Sequence, residues 1–136
     1  MTVDSLRKKG LSVLRGLVGD KYIEKRIEST NEFNRNLREL SELCMGSVWT
    51  RTELDLATRS LVTVSMLIAL GRSHELSIHI DAALTNGSTP AQLKEVILHA
   101  VIYCGFPAAG DAGRIAEEVF RQRGIPLQKT SHSGDM

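Results

Sequence analysis

Apolar residues recur along this chain in steps of three and four, the spacing of amphipathic helices. Leu11, Leu14 and Leu17, set among basic residues, predict a short helix from Ser5 to Leu17, ended near Gly19. Ile23, Ile27, Phe33, Leu37 and Leu40 mark one face of a second helix from Tyr22 to about Leu43. That face is discontinuous, which predicts a break near Ser29 to Asn31. From Cys44 to Leu54 the periodicity fades, and a loop is expected there. Asp55 then opens a helix to about Leu70. Gly71 separates it from another helix, Ser73 to Leu84, and Asn86-Gly87 is a turn signal. Ser88-Thr89-Pro90 is a helix start, with a hydroxyl for the cap and proline at the first helical position. This helix runs to Cys104, with Leu93, Val96, Ile97, Ala100 and Val101 as its expected core face. A last helix, Ala108 to Arg123, stops at Gly124-Ile125-Pro126.

The pattern therefore predicts an all-α domain of about six helices over residues 1–126, with a polar, disordered tail over 127–136. Residues 57–70 and 93–104 are more apolar than one core face needs. A helix apolar nearly all round is normally covered on all sides. In so small a domain the cover is expected from another subunit, which predicts a homo-oligomer.

Composition narrows the function. The chain has 136 residues, 42% hydrophobic and 24% charged, with net charge +1. No basic run is longer than Arg7-Lys8-Lys9, so nucleic-acid binding has no support. The apolar run Leu61 to Leu70 is too short to span a membrane. The first ten residues do not read as a secretory signal, and Cys44 and Cys104 form no CxxC pair. A cytoplasmic protein with reduced thiols is expected.

The chemistry concentrates at Gly71-Arg72-Ser73-His74-Glu75-Leu76-Ser77-Ile78-His79. On a helix Arg72, Glu75 and His79 share one face within about 60°. Glu75 and His79 are i,i+4 neighbours, so the carboxylate is expected to hold the imidazole and raise its pKa. That pairing makes a proton donor or acceptor near neutral pH, and Arg72 offers a fork for a substrate carboxylate. A Glu–His pair beside an arginine is most often a solvated helix face, and that reading stands beside the catalytic one. The string H-E-x-x-x-H misses the zinc-protease spacing by one residue. Glu75 and His79 with a distant His99 make a poor metal set, since zinc needs three clear ligands. Trp49 is more often a core or interface aromatic than a substrate lid and Tyr103 more often a packing residue, and Arg51 and Arg59 also fit as plain surface arginines.

Longer strings carry a resemblance. Leu54 to Thr63, Met66 to Arg72, Glu75-Leu76, His79, Asn86-Gly87, Leu93 to Ile97 and Tyr103 to Ala109 resemble the carboxymuconolactone decarboxylase family. Gly46, Val48-Trp49 and Arg51 extend the likeness, which covers about residues 10–123. The resemblance implies an alkylhydroperoxidase D-like all-α fold, usually oligomeric, here a trimer or hexamer. One branch of that fold consists of thiol peroxidases with C-x-x-C-x-x-x-H. This chain has Arg72 and Glu75 in place of those cysteines and keeps only His79. The decarboxylase branch implies cofactor-free removal of CO2 from a carboxylated unsaturated lactone in aromatic-compound catabolism, with no metal. By that likeness Arg72 holds carboxylate, His79 with Glu75 moves the proton, and Arg51, Trp49 and Tyr103 bind substrate. The chain departs from the family pattern at Met45, Thr52-Glu53, Gly110 and Gly113. The small residues at 110 and 113 suggest a wider pocket and a larger substrate, such as a secondary metabolite. Outside enzymology, the same residues suit a helical oligomer that binds a small ligand or a partner.

Overall fold

The computed structural model describes residues 2–131, and these form seven helices with no strand among them. They are α1 (Val3–Val18), α2 (Asp20–Glu28), α3 (Arg35–Val48), α4 (Leu56–Leu70), α5 (Ser73–Thr85), α6 (Pro90–Cys104) and α7 (Phe106–Gln122). The expected break near residues 29–31 divides the second predicted helix into α2 and α3, which accounts for seven rather than six. Residues 124–131 lack regular structure, and the rest of the expected tail lies outside the described residues.

The last four helices form a square. α4 packs on α5, α5 on α7, α7 on α6 and α6 back on α4. The core inside it is built from Val64 and Ile68 of α4, Leu76, Ile80 and Ala83 of α5, Leu93 and Ala100 of α6, and Ala109, Ala112 and Ala116 of α7. The alanines let α7 approach closely. Polar bonds set the register of the corner between α4 and α5. Asn86 Nδ2 donates to the buried Ser60 Oγ at 2.9 Å, and Ser88 Oγ donates to the Ala57 carbonyl at 3.1 Å. Thr89 and Gln92 cap α6 reciprocally, as the Ser-Thr-Pro start predicts.

The first three helices form an annex. α1 lies along α3 and reaches the square through α5. Contrary to the loop expected from Cys44 onward, α3 continues to Val48. The reason is the contact it makes. Gly46 packs backbone to backbone on α1, so the strongest contact of this stretch carries no apolar side chain and leaves no periodic signal. α1 turns into α2 at Gly19 and α6 into α7 at Gly105. Both glycines have φ 87° with ψ near 160°, a conformation open essentially to glycine alone.

The excess apolar surface seen in the sequence is outside. Leu70 is 69% and Ile102 72% exposed, and Met66, Leu98 and Phe106 are exposed as well. Val101, expected in the core, also lies outside, because α6 turns only Leu93 and Ala100 fully inward.

Candidate active site

Arg72, Glu75 and His79 sit at the α4–α5 junction. Gly71 closes α4 in a left-handed conformation, and Arg72 follows as the N-cap of α5, with φ −92° and ψ 75°. Arg72 thus stands just outside the helix that carries Glu75 and His79. Its carbonyl still accepts from the Leu76 N–H at 2.8 Å, so it is held at the helix mouth. Arg72 and Glu75 are exposed and His79 is half-buried.

The edge of the square on which they lie follows from their neighbours. Ser73 Oγ donates to Asp111 of α7, and Arg123, just past α7, binds Asp81. Those residues mark the side of α5 turned to α7. By helical phase His79 lies on the opposite side. Asn86 is seven residues beyond His79, about two turns, and so shares its line along α5. The bond from Asn86 to Ser60 shows that this line runs beside α4. His79 therefore occupies the outer α4–α5 edge.

The expected rise in the His79 pKa is corrected. Burial holds the imidazole below its ordinary value of 6.5, and the nearby Glu75 carboxylate opposes this only in part. No hydrogen bond joins Glu75 to His79 among those of the described residues. Glu75 acts on His79 through space, and its own solvent exposure weakens that effect.

The other expected site residues separate into two groups. Trp49, half-buried, caps the end of α3, and Arg51 follows in the segment that leads to α4. Arg59 Nη2 donates to the Arg51 carbonyl at 3.3 Å, which ties that segment to α4. Tyr103 lies elsewhere. It is 76% exposed and stands over His99, ring centroids 5.0 Å apart, in a groove of about 550 Å³ between α4 and α6. Neither His79 nor Arg72 lines that groove, so Tyr103 and His79 do not meet within one chain. His99 in the same groove is equally apart from Glu75 and His79, and no metal-holding group of three His, Cys, Asp or Glu side chains occurs among the described residues. Gly113 lines a third place, an apolar groove of about 430 Å³ between α6 and α7, with Leu98 and Phe120. Gly110 faces the Phe106 ring.

Comparison with known proteins agrees with this architecture. The model of the carboxymuconolactone decarboxylase family matches residues 35–118, from the start of α3 into α7. The chain is 42% identical over 125 residues to a 4-carboxymuconolactone decarboxylase of Acinetobacter baylyi, covering 91% of this chain and 93% of that one. It is 34% identical over 116 residues to a nitrosuccinic acid decarboxylase of Metarhizium robertsii, covering 82% and 81%. This all-helical protein belongs to the carboxymuconolactone decarboxylase family. Both of these relatives bear the names of decarboxylases.

Proposed function

We propose that the protein is a decarboxylase of a carboxylated unsaturated lactone, acting without a cofactor, with 4-carboxymuconolactone as the first substrate to test. The observation that carries this reading is the 42% identity to a decarboxylase of that name over nine-tenths of both chains. The half-buried His79 on the outer α4–α5 edge, with Arg72 at its mouth, suits the chemistry.

Loss of CO2 leaves an electron pair on carbon. In an unsaturated lactone that pair spreads into the ring carbonyl, so the substrate supplies its own electron sink. The protein must hold anionic groups and return a proton to carbon. Arg72 takes the first role. His79 takes the second, with Glu75 adjusting its charge. Burial keeps His79 largely neutral at neutral pH, because it disfavours the imidazolium. A bound polyanion restores the negative charge that imidazolium needs. The donor is thereby charged when substrate is present.

The protein works as a homo-oligomer, a trimer or hexamer, in the cytoplasm. The apolar exterior of α4 and α6 supports the assembly, and the two unpaired cysteines suit a reducing compartment. No helix among the described residues is long and apolar enough to cross a membrane.

The test is CO2 release from 4-carboxymuconolactone by the purified protein. Release above the spontaneous rate supports the reading, and its absence sends the search to larger lactones and to nitro-substituted dicarboxylic acids.

A further inference from the structure

The arginines of this chain divide by what they touch. Arg7, Arg15, Arg114, Arg121 and Arg123 each pair with a carboxylate. Arg59 pairs with none among the described residues. Its Nη2 is committed to the Arg51 carbonyl, and its Nε–H is buried with no hydrogen-bond partner. A buried donor on a charged group left unmade is costly, and guanidinium is the side chain best shaped to take a carboxylate. Arg26 shares the unpartnered Nε, but Arg26 is spent inside the α2–α3 corner, on Ser41 Oγ and the Arg38 carbonyl.

The position of Arg59 gives its free donor a use. Ser60 beside it faces Asn86, and Leu61 on the far side of Ser60 lines the α4–α6 groove. By helical phase Arg59 lies on the opposite side of α4, along the outer α4–α5 edge that carries His79. Along α5, Arg72, His79 and Asn86 fall at intervals of seven residues, about 10 Å each. His79 is thus midway between Arg72 at one end and the Ser60–Asn86 contact, with Arg59 next to it, at the other.

We infer that Arg59 is a second anion-binding residue of this edge, and that the protein selects dicarboxylates by holding them between Arg59 and Arg72 across His79. This rests on the proposed decarboxylase reading for its chemistry, though not for its binding test. A decarboxylase gains no rate from a tight grip on the carboxylate that departs, since that contact weakens as the group becomes neutral CO2. Arg59, the less exposed arginine, holds the carboxylate that the product retains. Arg72, exposed at the helix mouth, takes the departing carboxylate more loosely.

Two measurements test this separately. In the first, thermal unfolding of the full chain is followed with millimolar adipate or butyrate. Adipate should raise the melting temperature of the wild type more than butyrate does, since a ligand that binds the native state stabilises it. Arg59→Gln should lose the difference, Arg59→Lys should keep part of it, and Arg121→Gln should retain it fully. Equal protection by the two acids in the wild type, or an undiminished difference in a folded Arg59→Gln, overturns the inference. In the second, steady-state kinetics with 4-carboxymuconolactone should show KM raised about 10–100-fold in Arg59→Gln with a smaller change in kcat, the loss of a charged hydrogen bond. An unchanged KM overturns the inference while the decarboxylase reading stands. Arg59-dependent adipate binding in a protein that releases no CO2 leaves the anion site in place and removes the assigned substrate.

Discussion

Gly10 of α1 and Gly46 of α3 meet backbone to backbone, with no room for a side chain on either. A Cβ on Gly46 would strike the Leu6 carbonyl, and one on Gly10 the Glu42 carbonyl. Neither obstacle is a side chain that can swing aside, so the helices themselves must separate. Gly10→Ala or Gly46→Ala is expected to cost at least the ~1–3 kcal/mol typical of overpacking. Gly16, on the same helix, has open space around it, and Gly16→Ala is expected to be neutral or to stabilise by about 0.5–1 kcal/mol. Urea unfolding of the three variants checks the contrast.

His79→Ala is expected to lower kcat for CO2 release by about 10²–10⁴-fold, the usual contribution of a positioned proton donor. The variant should keep its helical circular dichroism, because His79 is only half-buried and lies outside the core cluster. Full turnover in the folded variant removes His79 from the reaction.

The pH profile of catalysis follows from the depressed pKa of His79. If imidazolium is the donor, kcat/KM, which reports the free enzyme, falls as pH rises through a value below 6.5. Bound anions raise the His79 pKa, so kcat should fall at a higher pH than kcat/KM does. Coincident profiles would mean that substrate charge does not reach the imidazole.

Stability should carry the same signature with its own sign. The unfolded chain binds a proton at His79 at higher pH than the folded chain does. Stability from this group is therefore full above the ordinary value of 6.5 and declines as pH falls toward the lower folded value. His79→Gln lacks this slope. Its melting temperature, relative to wild type, should improve steadily as pH is lowered from about 7.5 to 5.

Assembly is the last expectation. Ile102 and Leu70 are large, apolar and exposed, and burial in a partner would remove about 25 cal/mol for each Å² covered. Light scattering should report a mass several times the 15.0 kDa of the chain. Ile102→Glu should lower that mass without loss of helix content. A wild-type monomer at micromolar concentration contradicts the assembly.

The sequence discloses the square of helices more readily than the annex. α4 to α7 bury apolar side chains at helical spacing and are bounded by Asp55, Gly71, Thr89-Pro90 and Gly105, all of which are local signals. α3 past Cys44 is held through Gly46, and a contact made by backbone leaves no side chain to read. Arg72, Glu75 and His79 are legible as neighbours because one helix carries them. The direction of the His79 shift was not, since the imidazole's burial depends on elements distant in the chain. Tyr103 and Arg59 show the same limit. Arg59 is one arginine among many and Tyr103 one of two tyrosines until the fold places them, Tyr103 in the α4–α6 groove and Arg59 against the Arg51 carbonyl.

The corners at Gly19 and Gly105 have a consequence for how this architecture can vary. Each is a single residue that ends one helix and begins the next. With no slack between the helices, an added residue would rotate everything downstream by about 100° and misdirect a whole face. Length changes among related chains should therefore avoid both corners. They should gather in residues 29–34 and 49–55, where the backbone already leaves the helix for several residues. The second of those stretches carries Arg51 and crosses to Arg59, so an insertion there would reshape the approach to the outer α4–α5 edge while the four-helix square stays as it is.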